Sequence, residues 1–423
     1  KFIKTNYASM NVIMILENQN DEEQVVDPES IMTPDKLKKL GANEVLQRPF
    51  EFKHLVVALE GHQSLSQMNS TLPKRDGVSD EVEVDEKDED FTKISITQLY
   101  ASKNVFFDVF IKLGSGRYVK ILHAGDSFSR ERIDKYKNDK GVEYLYFHKS
   151  DRRKYVKLTN HIAKKIVTNS AVPTKAKVGL LKNVADKFLE QSFEEGMKPQ
   201  IVEQGYEICS NIYNLVEKDK SLHSMLRDYQ DFDPNAYTHA FLTTLFSTSI
   251  IKQFEWQSKT TIEATALACM FHDIGKMRLP PEIREMKVDD MSEEQLEEYK
   301  KHPELGVEMI ESNNMIKNSV KQIILHIMNI LMGTGFPYGK RGSKILTLAN
   351  IVCLADAFSH VIQDNELKPV DALKTLLQDR DNLTRYNSAI VENLIKVFVD
   401  PDKIVKESNL PSNSRMVPNK KAS

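Results

Sequence analysis

Hydrophobic residues change their spacing near residue 175, from short alternating segments to a long helical pattern. Before that point, apolar and polar residues alternate in segments such as VFFDVFIKL and YVKIL, which is the period of a half-buried strand. After it, apolar residues recur every three or four positions, beginning with Val178, Leu181, Val184 and Phe188, as on the buried face of a helix. The sequence therefore predicts a multidomain protein with a mainly α-helical C-terminal domain, preceded by αβ segments.

Length, charge and cysteine usage exclude several classes of protein. A chain of 423 residues is too long for one ordinary core, so we expect several domains. A formal net charge of -3 gives no global field that would gather nucleic acid or anionic lipid, so neither is an expected partner. No apolar run approaches the roughly 18 residues of a membrane span. The three cysteines, Cys209, Cys269 and Cys353, show no CxxC spacing of the kind that binds zinc. We expect a soluble cytoplasmic protein with buried core cysteines.

Composition divides the chain into five predicted segments. Residues 62–92 are rich in Ser, Asp and Glu and poor in large apolar side chains, so they predict an acidic linker. Residues 408–423 are similarly poor in core residues and predict a mobile tail. Around them we expect an αβ segment over 1–61, a small αβ module over 93–160 and the helical domain over 161–407.

The first segment alternates strands with a helix. Residues 11–16 and 44–46 predict strands, and residues 34–40 predict a short helix. The stretch GANEVLQRPFEFKHLVVALEG resembles the last strand, turn and helix of a response-regulator receiver domain, with Arg48 where that family has lysine. The resemblance implies half a receiver over 1–61, so we expect the chain to be the downstream part of something longer. A generic βαβα fragment is the alternative, and no phosphorylation site is assigned.

The middle module is predicted as a small sheet with a hairpin. Two alternating segments flank Gly114-Ser115-Gly116, a turn signal, and VEYLYF supplies a third strand. A basic stretch over 149–154 suits either contact with an anionic ligand or a solvated turn. By its position, the module is expected to act as a sensor or adaptor.

One apolar segment carries a histidine and an aspartate side by side. In ATALACMFHDIGK, residues 264–276, the last helical turn is expected to hold His272 and Asp273 before Gly275 ends the helix. Burying both without a partner costs several kcal/mol, so something should compensate them. A metal ion does this well, since an imidazole binds one ion and the carboxylate can bind the same ion or a second one. A buried hydrogen-bonded pair is the alternative.

Three further residues are spaced so that they could join this pair. His239 lies upstream, His302 lies downstream in HPELG, and Asp356 lies in the apolar stretch NIVCLADAF, where a carboxylate needs a cation or donor. Each has a structural alternative: a capping histidine at 239, a helix-start residue at 302 and an interhelical hydrogen-bond acceptor at 356.

Together, His239, FHDIGK, KHPELG, GTGFP and LADAF resemble, in order and spacing, the HD-GYP family of metal-dependent cyclic-di-GMP phosphodiesterases. The resemblance covers roughly residues 171–405 and implies an HD-type helical bundle. It implies catalytic roles for Asp273 and Lys276, with Lys276 touching substrate phosphate as a point charge. The implied metal ligands are His239, His272, Asp273, His302 and Asp356. The implied substrate-binding residues are Lys276, Gly333, Gly335, Phe336 and Pro337.

The sequence departs from the family at the second metal position. Where the family reads HHExxDGxGYP, this chain has Ile327 and Met328 instead of both histidines, Met332 instead of the aspartate and Phe336 instead of the tyrosine. A thioether is a poor ligand for hard divalent ions, and Phe336 keeps a stacking face but loses the hydroxyl. His326 lies one position before that of the family's first histidine, and one position along a helix rotates a side chain by about 100°, away from the second metal position. Only Asp273 and His302 remain for a second ion.

Two functions follow from the resemblance. In the first, the chain is a signalling module with reduced or lost phosphodiesterase activity that binds cyclic-di-GMP, a related nucleotide or a signalling protein partner. In the second, it is a one-metal phosphohydrolase acting on such a nucleotide, for which His239, His272, Asp273 and Asp356 suffice. Both readings expect one divalent ion per chain, iron or manganese.

Overall fold

The computed structural model describes most of the chain from residue 65 onward and short pieces before it. The described residues are 12–16, 44–50, 65–75, 79–101, 103–219, 236–254, 258–311, 315–331, 347–379 and 386–398, with single positions between them. The chain divides into two compact units. The first comprises Lys1–Ile162, Lys198–Gln204 and Ser312–Asn314, and the second comprises Ala163–Met197, Gly205–Glu311 and Met315–Ser423.

The first unit begins with two parallel strands. Strand β1 (Ile13–Leu16) pairs with β2 (Glu44–Gln47), and both lie where the sequence predicts them. Parallel neighbours need a crossover connection, and the helix predicted over 34–40 would belong to it, but that segment lies largely outside the described residues. The assignment of residues 1–61 to half a receiver stays a prediction.

A five-stranded antiparallel sheet forms the centre of the first unit. Its strands run in the order β3-β6-β5-β7-β4. Their bounds are β3 (Val82–Val84), β4 (Phe91–Ser95), β5 (Val109–Lys112), β6 (Tyr118–Leu122) and β7 (Tyr144–His148). Strands β5 and β6 form the predicted hairpin, where Gly116 has a φ of 89° that L-residues rarely adopt. Strand β7 is the predicted third strand.

The segment predicted as an acidic linker contains regular structure. Helix α1 (Leu65–Thr71) and strand β3 lie inside residues 62–92, and β3 pairs with β6. Hydrogen bonds between backbones stabilise an edge strand even when few of its side chains are buried. The low hydrophobicity of residues 62–92 predicted a linker and gave no indication of this strand.

Aromatic side chains form the core on one face of the sheet. Phe91 stacks on Tyr118 with ring centroids 4.0 Å apart and meets Phe110 edge-on at 5.0 Å. Helix α2 (Arg130–Lys140) is capped at its N-terminus by Ser129, whose hydroxyl accepts a hydrogen bond from the backbone N–H of Arg132. The basic stretch over 149–154 forms a 3-10 turn, Lys149–Asp151, and the first residues of helix α3 (Arg152–Ile166). Arg152 is buried and donates to Thr92 Oγ1 at 2.9 Å, so it belongs to the module's interior and to neither reading of that stretch.

The described residues beyond α3 are mainly helical, as the hydrophobic spacing predicts. The helices are α4 (Thr174–Glu195), α5 (Pro199–Lys218), α6 (Ala236–Lys252), α7 (Lys259–Phe271), α8 (Pro281–Arg284), α9 (Glu293–Tyr299), α10 (His302–Glu311), α11 (Asn318–Leu331), α12 (Thr347–Asp364), α13 (Pro369–Gln378) and α14 (Ser388–Phe398). A C-terminal helical domain preceded by an αβ region is therefore confirmed.

Helices α6, α7 and α12 form the centre of the second unit. Helix α7 is buried on all sides from Ala264 to Phe271, and it packs against α6, α11 and α12. The rings of Phe246, Phe358 and Phe398 meet where α6, α12 and α14 pack together, with centroids 4.8–5.9 Å apart. These helices carry the polar residues of the candidate site in an otherwise apolar interior.

The cysteine prediction is confirmed, because Cys209, Cys269 and Cys353 are all free and buried. Burial raises the pKa of the Cys269 thiol to about 12. None of the helices in the described part of the chain is long and apolar enough to cross a membrane.

Candidate metal centre

Side chains from three helices meet inside the second unit. His239 lies on α6, His272 follows the last residue of α7 and Asp356 lies on α12, and all three are buried. Asp356 Oδ1 lies 2.8 Å from His239 Nε2 and 3.1 Å from His272 Nε2. The three potential ligand atoms all lie within 4.8 Å of one another. The geometry places an imidazole pair and a carboxylate within reach of a single ion.

The turn after α7 differs from the sequence prediction. The helix ends at Phe271, so His272 is its cap and Asp273 begins a 3-10 turn over Ile274–Arg278. Asp273 has φ -98° and ψ 2°, outside regular helix. This break directs the two neighbouring side chains differently, with His272 at 4% exposure and Asp273 at 29%.

Each imidazole has its Nδ1 atom next to an oxygen. His272 Nδ1 lies 2.6 Å from the carbonyl of Cys269, and His302 Nδ1 lies 2.7 Å from the carbonyl of Tyr299. His239 Nδ1 lies 2.8 Å from Oε1 of Gln363. A carbonyl or amide oxygen can only accept, so each Nδ1 carries a proton. In the neutral ring the lone pair then lies on Nε2, which is the tautomer that binds a metal.

The Nε2 atom of His272 is buried and makes no hydrogen bond of good geometry in the described structure, although carboxylate oxygens lie close to it. It lies 3.5 Å from Asp273 Oδ1 as well as 3.1 Å from Asp356 Oδ1. Burial would lower the pKa of His272, but the two carboxylates raise it to about 9. Burial would raise the pKa of Asp356, but His239 and His272 hold it well below the usual range. An orphaned imidazole nitrogen between anionic groups fits a divalent cation.

Lys276 extends the site with a single positive charge. Its ammonium donates to Asp273 Oδ2 at 2.7 Å and lies 5.2 Å from the centre of the Tyr299 ring. Burial would lower the pKa of Lys276, but Asp273 raises it above the ordinary lysine value. Burial would likewise raise the pKa of Asp273, but His272 and Lys276 hold it far below its usual range. The pair is therefore an ammonium and a carboxylate at neutral pH.

Gly275 allows this turn to lie directly on helix α10. A Cβ built there would lie 1.8 Å from the carbonyl oxygen of His302 and 2.5 Å from the amide nitrogen of Gly306. Those atoms are backbone, so they cannot swing aside. The sequence predicted Gly275 as a helix end. The structure adds that it brings two backbones together and so places Asp273 beside α10.

His302 lies next to the triad without belonging to it. Its Nε2 is 3.7 Å from Asp273 Oδ1, and its ring meets Tyr299 edge-on with centroids 4.8 Å apart. Burial first, and then the nearby ammonium of Lys276, lower the pKa of His302 to about 4. The ring is therefore neutral at physiological pH and able to act as a ligand.

The second metal position and the substrate loop are only partly described. Ile327 is buried, and its carbonyl accepts a hydrogen bond from the Cys353 thiol. Met328 lies in helix α11, but its side chain is outside the described residues, as is the whole predicted loop: Met332, Gly333, Gly335, Phe336 and Pro337. His326 is buried with Nδ1 2.7 Å from the carbonyl of Gln322. In the described part of the chain, the triad is the only cluster of ligand-type side chains within reach of one ion.

Two residues around His239 were not predicted. Gln363 contacts its Nδ1, and the ring of His360 lies 4.2 Å from its ring, centroid to centroid. Both lie on α12 with Asp356, at i+4 and i+7, so they share its face of the helix. This spacing from a candidate ligand is the one signal that could have found them.

The chain is similar to several known proteins. The family model described as HD domain matches residues 219–390. Among characterised proteins, cyclic di-GMP phosphodiesterase PdeB of Borreliella burgdorferi is 28% identical over 130 residues, 31% of this chain and 34% of that protein. Cyclic di-GMP phosphodiesterase PA4108 of Pseudomonas aeruginosa is 24% identical over 195 residues, 46% of this chain and 45% of that protein. The chain thus spans about a third to a half of the length of these relatives.

A solved structure shares the fold. The HDG"Y"P protein Bd1817 from Bdellovibrio bacteriovorus superposes with a TM-score of 0.53 at 20% identity, over 73% of this chain and 99% of that one. The chain contains an HD domain with an HD-GYP-like fold, and it is distantly homologous to cyclic-di-GMP phosphodiesterases. Its buried His-His-Asp triad could bind a metal, in keeping with the metal dependence of HD domains.

Proposed function

We propose that this chain is a cyclic-di-GMP signalling protein whose HD domain holds one divalent ion and binds the nucleotide with little or no hydrolysis. The observation that carries the proposal is the buried triad of His239, His272 and Asp356, with an unpartnered Nε2 facing two carboxylates. Two imidazoles with carboxylate oxygens suit first-row divalent ions such as iron and manganese. Asp273 Oδ1, 3.5 Å from His272 Nε2, is the proposed fourth ligand.

Reduced turnover follows from the residues available for a second ion. Asp273 and His302 lie 3.7 Å apart and would supply only two ligand atoms. Helix α11 carries Ile327 and Met328 where the resembled family has two histidines, and neither an aliphatic group nor a thioether binds a hard cation well. Without a second ion, one of the two oxygens in an in-line displacement at phosphorus loses its metal stabilisation.

The nucleotide is inferred from charge and from the relatives. Cyclic-di-GMP presents phosphodiester oxygens, and Lys276 is a partly exposed ammonium beside the triad. Because Asp273 keeps Lys276 protonated, the lysine can hold a phosphate as a point charge. We assign the loop residues Gly333, Gly335, Phe336 and Pro337 to nucleotide contact, with the Phe336 ring stacking on a base.

A one-metal phosphohydrolase is the second candidate. The arrangement that favours it is Lys276 held 2.7 Å from Asp273, which itself lies 3.5 Å from His272. When bound, a divalent ion would polarise a phosphoryl oxygen and lower the pKa of a water molecule. Lys276 would then stabilise charge on the equatorial phosphate oxygens.

Three measurements on the purified chain separate the two candidates. Bound metal per chain is measured by mass spectrometry of the elements, nucleotide affinity by calorimetry, and hydrolysis by chromatography of the products. We expect about one ion per chain, nucleotide binding that weakens about tenfold or more in Lys276→Met, and no product above background. The matched control is Lys368→Met, at an exposed lysine.

The outcomes point in different directions. Two tightly bound ions with rapid hydrolysis of cyclic-di-GMP would overturn the proposal, whereas one ion with measurable hydrolysis would establish the second candidate. The double variant Ile327→His with Met328→His should raise the metal content towards two if α11 faces the second position. If the wild-type chain binds neither a divalent ion nor the nucleotide, the proposed function is wrong.

A further inference from the structure

One face of helix α12 surrounds the ring of His239. Asp356, His360 and Gln363 lie at i, i+4 and i+7 of the helix, so their side chains share a face. Asp356 Oδ1 lies 2.8 Å from Nε2 of His239, and Gln363 Oε1 lies 2.8 Å from its Nδ1. The ring of His360 lies against the ring of His239, with centroids 4.2 Å apart and planes inclined by 36°. Both nitrogens and one ring face of His239 are therefore in contact with α12.

The other two imidazoles are oriented in a different way. His272 and His302 each have Nδ1 next to the main-chain carbonyl of the residue three positions earlier, Cys269 and Tyr299. A main-chain carbonyl is present whatever side chain the sequence supplies. The Nδ1 of His239 instead meets a side chain 124 positions away in the sequence. Of these three rings, His239 alone has its Nδ1 on another residue's side chain.

We propose that Gln363 is a positioning residue that holds His239 as a metal ligand, an inference that rests on the metal site proposed above. A bound ion takes the lone pair of Nε2, so the neutral ring keeps its proton on Nδ1 and needs an acceptor there. Gln363 supplies that acceptor with its amide oriented so that Oε1 faces the ring. Without it, a buried N–H loses its partner and the ring loses the contact that fixes its rotation. Loss of such a partner typically weakens metal binding by about 10–100-fold.

Three variants of the full chain test this role. Gln363→Leu removes the acceptor at similar size, and Gln363→Glu keeps an acceptor oxygen at the same reach. Gln378→Leu makes the same chemical change at an exposed position at the end of α13 and serves as the matched control. Mn²⁺ and Co²⁺ affinities are measured by calorimetry, the Co²⁺ absorption spectrum reports coordination, and thermal unfolding of the metal-free proteins reports structure.

We expect Gln363→Leu to bind both ions about 10–100-fold more weakly, with an altered Co²⁺ spectrum, while the metal-free protein still folds and unfolds cooperatively at a moderately lower temperature. Gln363→Glu should restore both affinity and spectrum, and Gln378→Leu should change neither. If Gln363→Leu binds as tightly as the wild type with the same spectrum, the inference is wrong while the metal site stands. If Gln363→Glu fails to recover affinity although it folds, the positioning role is also wrong. A wild-type chain that binds no divalent ion would refute the proposed metal site and this inference together.

Discussion

Substituting Gly275 with alanine should disrupt the contact between the turn after α7 and helix α10. The new Cβ would lie 1.8 Å from the carbonyl oxygen of His302, whereas ordinary contacts begin near 3.4 Å. The two backbones would therefore have to separate by about 1.6 Å (3.4 − 1.8). Overpacking in a well-packed interior costs about 1–3 kcal/mol, and a clash between two backbones cannot be relieved by rotating a side chain. We expect the free energy of unfolding to fall by about 3 kcal/mol or more.

The separation should also be visible in the site. Asp273 and Lys276 move with the turn, and His302 moves with α10, so the 3.7 Å distance between Asp273 Oδ1 and His302 Nε2 should increase. The assay is urea unfolding followed by far-ultraviolet circular dichroism, together with metal affinity. The control is Gly179→Ala in α4, where a Cβ meets nothing within 4 Å. That change should stabilise the helix by about 0.5–1 kcal/mol.

A Gly275→Ala variant within about 0.5 kcal/mol of the wild type, at an unchanged denaturant dependence, would refute the reasoning, since changes of that size are ordinary for surface positions. If Gly275→Ala and Gly179→Ala changed the free energy of unfolding equally, the reasoning would be refuted as well. The prediction depends on the close backbone approach and needs no bound ion.

Three further predictions concern other parts of the second unit. If the triad holds the proposed ion, added Mn²⁺ should raise the melting temperature of the wild type and leave that of Asp356→Ala unchanged, as measured by thermal unfolding with and without a chelator; an equal rise in both would contradict the assignment. Asp219→Ala should lower the free energy of unfolding in urea by about 3–5 kcal/mol, because the buried ammonium of Lys177 then loses its carboxylate partner at 2.8 Å. Adding Lys177→Met to this variant should recover much of the lost stability. An equal loss of stability in the single and the double variant would contradict this reasoning. Cys269, with a pKa near 12, should not react with a thiol reagent at pH 8 until the protein unfolds, so rapid labelling of the native chain at this position would argue against its burial.

The sequence predicted the fold of the second unit well because helical periodicity is a strong signal. It also identified the residues of the triad, since His239, His272 and Asp356 combine ligand-type side chains with apolar surroundings. Their distances are within coordination reach, while their roles as ligands stay a prediction. Gln363 carried only the weaker signal of its spacing from Asp356, because an amide near the end of a helix is ordinary and its partner lies 124 positions away.

Two other differences have physical reasons. Strand β3 lies in a segment with the composition of a linker, and it is stabilised mainly by backbone pairing with β6, which composition does not report. The end of helix α7 was predicted near Gly275, but the helix ends at Phe271 because the following turn packs on α10. Local propensity could not show this, since the neighbouring helix imposes the turn.

The distance between the ligands along the chain has a consequence for biosynthesis. His239 and Asp356 are separated by 117 positions, and no metal site exists until α12 has packed on α6. At a synthesis rate of about 5–20 residues per second, the first ligand leaves the ribosome roughly 6–23 s before the last. During that interval α6 and α7 present apolar faces that α12 will later cover. If the triad holds the proposed ion, metal loading is thus a late event that follows tertiary assembly.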